Sequence, residues 1–178
     1  HPERSLPHSP AIAWFTRSSM SAHSEFTIRP LLEGDSEFVS RVAPRLYHGP
    51  TASPRDPERF QRYFSALTPA DLTRESGTEA FVATGDDPGH LLGLVVIKPD
   101  FDYFTDHSRA YVEILVVAEE AEGRGVGRAL MAHAEQWGRA HKCHEVVLDV
   151  FANNPSAIAF YERIGFASDH IRMSKSLA

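Results

Sequence analysis

Short apolar runs separated by Gly, Pro and Asp mark the chain from residue 26 onwards. Runs of this kind, rich in Val, Ile, Leu and Phe, predict β-strands. The predicted strands are FTIRPL at 26–31, EAFVAT at 79–84, LLGLVVIKP at 91–99, AYVEILVV at 110–117, EVVLDV at 145–150 and the terminal IRMSKSL. EVVLDV is nearly continuous in apolar character, which is typical of a buried strand. GDDPGH, between the second and third runs, predicts a hairpin turn.

Apolar residues recur at helical spacing between the first two strands. Asp35 is a predicted N-cap for a helix over GDSEFVSRV, and Asp56 before Pro57 predicts the start of a second helix. The second helix carries an apolar stripe, which favours a core-facing side over the wall of a substrate site. The stripe consists of Phe60, Tyr63, Phe64 and Leu67.

Two further helical patterns follow in the second half of the chain. The segment 124–141 gathers its apolar residues on one face, and these are Val126, Leu130, Ala134 and Trp137. PSAIAFYERIG at 155–165 has Pro155 near its start and Gly165 at its end, which is typical of a helix. The element order β-α-α-β-β-β-α-β-α-β predicts a mixed sheet of the α/β (α+β) class.

One folded domain accounts for most of the chain. Its 178 residues suit a single domain of ordinary size, and 42% apolar residues suffice for a core. Residues 1–24 are rich in Pro, Ser and His and show no periodicity, so we expect a flexible N-terminal tail at 1–24 and a single domain at 25–178. The chain begins at His1, and Met20 is a candidate for the native start.

Composition and charge disfavour several classes of protein. A formal net charge of −6 disfavours nonspecific nucleic-acid binding. The single cysteine, Cys143, fits a reducing compartment, and we expect a passive thiol rather than a catalytic one. No apolar run approaches the roughly 18–20 residues that span a membrane, and AIAWF is too short for a signal-peptide core. We therefore expect a cytoplasmic protein with no nucleic-acid or membrane partner.

The stretch EGRGVGRALM at 122–131 places glycines at 123, 125 and 127 between a predicted strand and a predicted helix. The first N–H groups of a helix have no intrahelical partner, and the helix dipole adds partial positive charge there. Glycines permit a ligand to approach the backbone closely. The segment therefore predicts a phosphate or pyrophosphate site, with a plain turn between strand and helix as the alternative.

Two familiar phosphate loops do not match this stretch. A P-loop needs a lysine after its last glycine, and none follows here. A dinucleotide fingerprint G-x-G-x-x-G needs a third glycine where Leu130 or Arg128 stands, although Asp149 lies where a ribose-binding acid is expected. A nicotinamide oxidoreductase is therefore a weak alternative.

Two segments, AYVEILVVAEEAEGRGVGRALM and NNPSAIAFYERIGF, together resemble a known family. They are similar to the loop pattern Q/R-x-x-G-x-G/A and the later pattern N-x-x-A-x-x-x-Y, followed by a Gly-Phe pair, of the GNAT superfamily of acyl-coenzyme A N-acyltransferases. The matching residues are 122–127, Asn154, Ala157, Tyr161, Gly165 and Phe166. The resemblance implies the GNAT fold, a mixed central sheet of about six to seven strands flanked by about four helices.

The resemblance also implies a site for acetyl-CoA as cosubstrate. The backbone of Leu115, Val116 and Val117 is expected to pair with the pantetheine arm as an added strand, and Asn154 is expected to hydrogen-bond that arm. The pyrophosphate is expected on Gly123, Arg124, Gly125, Val126, Gly127 and Arg128. Glu122 stands where the family has Gln or Arg, and we expect it to point to solvent because an acid facing a pyrophosphate is unfavourable.

The catalytic candidates are Tyr161 and Glu113. Tyr161, like the matching tyrosine of relatives, is the candidate acid that protonates the leaving thiolate, with a packing tyrosine as the alternative. Glu113 is the candidate general base, because a carboxylate within an apolar strand is costly unless it faces a wet cleft or a partner. An outward-facing strand residue is its alternative, and His107 is a weaker candidate base. The amide of Val116 or Val117 is the candidate group that polarises the carbonyl.

The remaining polar residues leave the acceptor open. DFDYFTDHSR at 100–109 combines acids and aromatics that suit a cationic amine, although a solvated loop or a dimer contact fits equally. No histidine pair at i,i+4 has a supporting Glu, so no metal is expected, and His133 is expected at the surface.

We therefore expect direct acetyl transfer to a primary amine, on a small molecule or a peptide, in a ternary complex. A catalytically silent acyl-CoA-binding sensor or subunit is the alternative. The resemblance further implies a homodimer.

Overall fold

The computed structural model describes residues 26–47 and 56–175, and a five-stranded sheet lies at their centre. Strands adjacent in the chain are adjacent in the sheet, in the order β1-β2-β3-β4-β5. The first three pairs are antiparallel and β4–β5 is parallel. The strands are β1 (Thr27–Pro30), β2 (Glu79–Thr84), β3 (Leu91–Asp102), β4 (His107–Val117) and β5 (Glu145–Leu148).

Helices fill the connections between these strands. They are α1 (Ser36–Val42), α2 (Pro57–Ser65), α3 (Pro69–Leu72), α4 (Val126–Ala140) and α5 (Pro155–Arg163), with 3₁₀ turns at Glu33–Asp35, Ala43–Leu46 and Glu119–Ala121. The parallel pair β4–β5 requires a crossover, and α4 supplies it. No helix within 26–47 and 56–175 is long and apolar enough to cross a membrane.

Helix α4 packs across β2, β3, β4 and β5. Its predicted apolar face is confirmed, because Val126, Leu130, Ala134 and Trp137 are all buried. Gly93 of β3 lies beneath the start of α4, where a Cβ atom would come within 2.9 Å of Leu130 Cδ1 and of Val126 Cγ1. The absent side chain at this position therefore sets how closely the helix approaches the sheet.

The predicted fold class and several element boundaries are confirmed. β2 covers the predicted 79–84, and α4 and α5 begin within two residues of their predicted starts. Asp56 caps α2 by accepting from the N–H groups of Glu58 (2.9 Å) and Arg59 (3.3 Å). Asp35 precedes α1 as predicted, but its carboxylate accepts from Arg29 and from the Leu32 N–H instead of capping α1.

The predicted terminal strand is wrong. Residues 171–175 form no strand, and Ile171 and Met173 are 85% and 89% exposed. An apolar run becomes a strand only where a neighbouring strand accepts its backbone hydrogen bonds, and these residues do not pair with β5. The sheet of the described residues therefore has five strands instead of six or seven.

The core-facing interpretation of the α2 stripe is only partly confirmed. Leu67 packs against the core, but Phe60 and Phe64 are only partly buried and Tyr63 is 59% exposed. The cause is that α2 packs mainly on α1 and on the 3₁₀ turn at Ala43–Leu46, with Phe60 beside Tyr47. The stripe borders a surface hollow of about 200 Å³ lined by Tyr63, Ala66, Leu67, Asp71 and Arg74.

The predicted interruption DFDYFTDHSR is mostly strand. β3 continues to Asp102 and β4 starts at His107, so the segment is the tip of a hairpin. Tyr103 and Phe104 are 87% and 101% exposed there. The predicted tail at 1–24, with Met20, lies outside the described residues.

His133 of α4 is partly buried, which corrects its predicted surface position. Its ring packs edge-on against Phe81 at 4.3 Å, and its buried Nε2 has no hydrogen-bond partner within the described part of the chain. Burial lowers the pKa of His133, and the charge of Glu79 only partly opposes that shift. The folded protein therefore favours neutral His133.

Replacing Gly93 with Ala is expected to destabilise the fold by about 1–3 kcal/mol, because the added methyl group would overpack α4 against β3. Gly34→Ala is the matched control, since no atom lies within 4 Å of the added Cβ position there. Urea unfolding of both variants measures the difference. Equal stability of the two variants would contradict the close packing at Gly93.

The stability of the protein is expected to fall as the pH drops below about 6.5, the usual pKa of His. In that range the unfolded chain binds a proton at His133 that the folded protein disfavours, so acid shifts the equilibrium towards unfolding. Between pH 7 and pH 5.5, the free energy of unfolding measured in urea should fall less in His133→Gln than in the parent chain. His170→Gln, at an exposed histidine, should lose as much free energy of unfolding as the parent chain.

Candidate active site

The two parallel strands β4 and β5 pair over only part of their length. Their register runs from Arg109 opposite Glu145 to Val112 opposite Leu148, where β5 ends. β4 continues to Val117 and keeps β3 as its neighbour on the other side. The last part of β4 therefore has one edge that β5 does not cover.

The ladder with β3 determines which backbone groups face this open edge. Ala118 donates its N–H to the carbonyl of Leu92 in β3 at 2.9 Å. Directly opposed residues of an antiparallel ladder alternate between hydrogen-bonded and non-hydrogen-bonded pairs, so Val117 and Leu115 turn their N–H and C=O groups away from β3. Val116 lies opposite Leu94 in a hydrogen-bonded pair, and its side chain is buried.

Glu113 stands at a β-bulge at the start of the open edge. Val96 is opposite Ile114 and Ile97 is opposite Val112, so Glu113 has no partner in the register. A bulge bends the strand and re-aims the side chain of its extra residue. The carboxylate of Glu113 is partly exposed as a result, with 39% of its side-chain surface accessible.

The ammonium of Lys98 bridges two carboxylates beside the bulge. Its Nζ lies 3.1 Å from Glu113 Oε1 and 3.0 Å from Glu75 Oε2, and 5.6 Å from the centre of the Tyr111 ring. Burial lowers the pKa of Lys98, but the two carboxylates outweigh that effect and raise it above its usual range. Lys98 therefore stays charged beside Glu113, a partner that the sequence analysis missed.

The glycine loop follows β4 after the 3₁₀ turn at Glu119–Ala121. Gly123 and Gly125 have φ values of 71° and 91°, in the left-handed region that favours glycine. Gly125 is the N-cap of α4 and, having no side chain, provides no cap for the first N–H groups of the helix. Arg124 and Arg128 are exposed on the same loop and first turn. The predicted anion-binding geometry is thus present at the start of a helix of 15 residues.

Glu122 is exposed, as predicted, but it does not point freely to solvent. It forms an ion pair with Arg45, which belongs to the 3₁₀ turn at Ala43–Leu46. The same Arg45 donates its Nε–H to the carbonyl of Val117 at 2.9 Å. The acidic run AEEAE before the loop favours nearby cations, but it does not identify Arg45 as the partner of Glu122.

Helix α5 carries Asn154 and Tyr161 towards the same loop. Asn154 is the N-cap of α5, and its side-chain oxygen accepts from the Ala157 N–H at 3.1 Å. Phe160 contacts the first turn of α4, with Cζ only 3.4 Å from the position that a Cβ on Gly127 would occupy. α5 is therefore fixed against the glycine loop through Phe160.

Tyr161 is a strong candidate for a group that stays protonated. Its ring lies partly buried between Phe160 and Phe166, with ring centres 5.2 Å and 5.8 Å away. Burial raises the pKa of Tyr161 to about 12. A phenol with this pKa can donate a proton at neutral pH and does not act as a base there.

Other predicted candidates lie away from this site. His107 starts β4 at the hairpin tip, about 20 Å along the strand from Glu113, and it stacks on His144 at 3.9 Å. The acids and aromatics at 100–106 share that far end. Burial raises the pKa of the Cys143 thiol, which disfavours a thiolate. No cluster of metal-ligating residues occurs in the part of the chain that the structure describes.

The comparisons with known proteins agree with this geometry. Streptothricin acetyltransferase of Streptomyces lavendulae is 34% identical over 93 residues, which are 52% of this chain and 47% of that protein. Spermine/spermidine N(1)-acetyltransferase of Bacillus subtilis is 28% identical over 81 residues, 44% of this chain and 53% of that protein. The chain thus spans about half the length of these relatives.

A solved structure extends the likeness over most of the chain. The putative acetyl transferase from Pyrococcus furiosus superposes with a TM-score of 0.69 at 27% identity, covering 86% of this chain and 100% of that one. Residues 44–166 match the family model described as the acetyltransferase (GNAT) family. That match includes the open edge of β4, the glycine loop and α5, and the chain therefore belongs to the GNAT acetyltransferase family.

Proposed function

We propose that the protein transfers the acetyl group of acetyl-CoA directly to a primary amine, in a ternary complex and without an acyl-enzyme. One observation carries the proposal, namely that the open edge of β4 is followed, after one 3₁₀ turn, by the glycine loop and the uncapped start of α4. An extended arm with amide groups can pair with the first feature, and a pyrophosphate suits the second. Acetyl-CoA, the cosubstrate of the GNAT family, has both parts.

The fit to the coenzyme rests on the donor groups of this chain. Leu115 and Val117 direct their backbone groups to the open edge, so they are the residues to pair with the pantetheine arm. The N–H groups from Val126 to Arg128, with the charges of Arg124 and Arg128, suit the pyrophosphate. Asn154 uses its oxygen as a helix cap and retains its NH₂ group for the arm.

The coenzyme supplies an activated thioester, and the chain supplies proton transfer and polarisation. Tyr161 holds the proton that the departing sulfur needs. Glu113 is the base that takes the proton from the acceptor ammonium, directly or through water. The N–H of Leu115 or Val117 polarises the carbonyl, whereas Val116 is disfavoured for this role because the register directs its N–H at β3.

The acceptor is proposed only as an amine. Relatives of this chain include acetyltransferases of several amine classes, namely spermine and spermidine, streptothricin and glucosamine 6-phosphate. The part of the chain beside Glu113 that faces an acceptor contains two carboxylates and one ammonium, Glu75, Glu113 and Lys98. This charge balance is compatible with a cationic acceptor.

Tyr161→Phe and Glu113→Gln are each expected to lower kcat by about 10²-fold or more, because each removes a proton-transfer group. The dissociation constant for acetyl-CoA, measured by isothermal titration, should stay nearly unchanged in both. Release of free thiol over a panel of polyamines, amino sugars and peptides reports turnover. Because the pKa of Tyr161 is about 12, its proton should not limit the rate below about pH 10.

Matched controls separate chemistry from damage to the fold. Tyr103 lies at the exposed hairpin tip, and Glu135 lies in α4 and pairs with Arg139. Tyr103→Phe and Glu135→Gln should therefore have the kcat of the parent chain. Binding of acetyl-CoA with no turnover on any amine would favour the catalytically silent sensor. No binding at all would refute the proposed function.

A further inference from the structure

Three acids precede the glycine loop, at the place where an anion is to bind. They are Glu119, Glu120 and Glu122, and Glu122 occupies the loop position itself. A carboxylate next to a pyrophosphate is repelled, by roughly 1 kcal/mol for unit charges about 4 Å apart even in bulk water. Some group of the chain must offset this repulsion if the loop is to hold a phosphate.

Two arginines from the first helical segment contact these acids. Arg41 lies in the last turn of α1, and its guanidinium lies 2.6 Å from Glu120. Arg45, one helical turn later, pairs with Glu122 and lies 3.7 Å from Glu119. The acidic run is therefore held by cations that come from more than 70 residues earlier in the chain.

Arg41 also donates to a backbone carbonyl, that of Leu91 at 3.4 Å, but only Arg45 of the two contacts both the end of β4 and Glu122. The Nε–H of Arg45 donates to the Val117 carbonyl at 2.9 Å, on the open edge of β4, while the rest of its guanidinium reaches Glu122. About 31% of its side-chain surface is accessible, so solvent screens this pair less than a fully exposed one. The side chain of Arg45 thus connects the open edge of β4 to the start of the glycine loop.

We propose that Arg45 is a positioning residue of the coenzyme site, and that it makes Glu122 compatible with a bound pyrophosphate by neutralising it and turning it away from the N-terminus of α4. This inference rests on the proposed function. Arg45 acts through Glu122 and is not itself a catalytic residue. Since Val117 gives its carbonyl to Arg45, the Val117 N–H and the Leu115 groups remain for the pantetheine arm.

The test is a double-mutant cycle read by isothermal titration of CoA. Arg45→Met is expected to raise the dissociation constant about tenfold, because it leaves Glu122 uncompensated beside the pyrophosphate. Glu122→Gln alone should bind CoA at least as tightly as the parent chain. The double variant Arg45→Met/Glu122→Gln should recover most of the lost affinity, which a loss of packing would not allow.

Two controls test whether the loss of CoA affinity is specific to Arg45 and electrostatic in origin. Arg41→Met breaks the pair with Glu120 but leaves Val117 and Glu122 untouched, so its CoA affinity should stay close to that of the parent. The defect of Arg45→Met should shrink at high salt, where the repulsion from Glu122 is screened. Circular dichroism melting confirms that each variant is folded at the temperature of the titration.

The outcomes distinguish this inference from the proposed function. If the parent chain binds CoA and Arg45→Met binds it equally well, the inference is overturned and the proposed function stands. An equal loss with Glu or with Gln at position 122 would likewise overturn it, because the effect would not pass through Glu122. If the parent chain binds no CoA, both fail together.

Discussion

The arrangement of the candidate site depends on one constraint, namely that the end of β4 makes backbone hydrogen bonds to β3 but not to β5. Every backbone N–H and C=O needs a partner, and β5 leaves β4 after Val112. The backbone groups of Leu115 and Val117 then point away from β3, on the side of β4 that β5 leaves uncovered. A closed sheet would have given this edge to a β-strand of the same chain. Here the edge is available to an extended ligand, and the Val117 carbonyl is shared with an arginine side chain.

Glycines make the same region both tightly packed and open. Gly93 lets α4 rest on β3, and Gly127 lets Phe160 bring α5 against the first turn of α4. Gly123 and Gly125 instead adopt positive φ, a backbone conformation that favours glycine. Packing glycines and loop glycines thus have different physical reasons, although Gly123, Gly125 and Gly127 belong to one motif in the sequence. The contact at Gly127 lets α5, which carries Tyr161, lie against the start of α4.

Local patterns predicted the parts of the fold that local energetics decide. The apolar face of α4, the limits of β2, the cap at Asp56 and the glycine loop follow from periodicity and turn chemistry, and all are present. The failures concern partners distant in sequence. Residues 171–175 of the predicted terminal strand pair with no strand, and α2 packs mainly on α1 and on the 3₁₀ turn at Ala43–Leu46. Arg45 and Lys98 could not be assigned to Glu122 and Glu113 from sequence, because those contacts depend on how the sheet and helices assemble.

The ion pair with Lys98 gives the Glu113 carboxylate a partner when no acceptor is bound. With 39% of its side-chain surface accessible, the Glu113 carboxylate is paired with the Lys98 ammonium, which Glu75 also holds. An acceptor amine at neutral pH also arrives as an ammonium, so it presents to Glu113 the same kind of group that Lys98 presents. Lys98 keeps its own proton because its pKa is raised. In the proposed reaction the acceptor amine instead loses its proton and is acetylated by the thioester. The bulge therefore places Glu113 where it has a charged partner in the folded protein and where, in the proposed function, the acceptor ammonium meets a carboxylate.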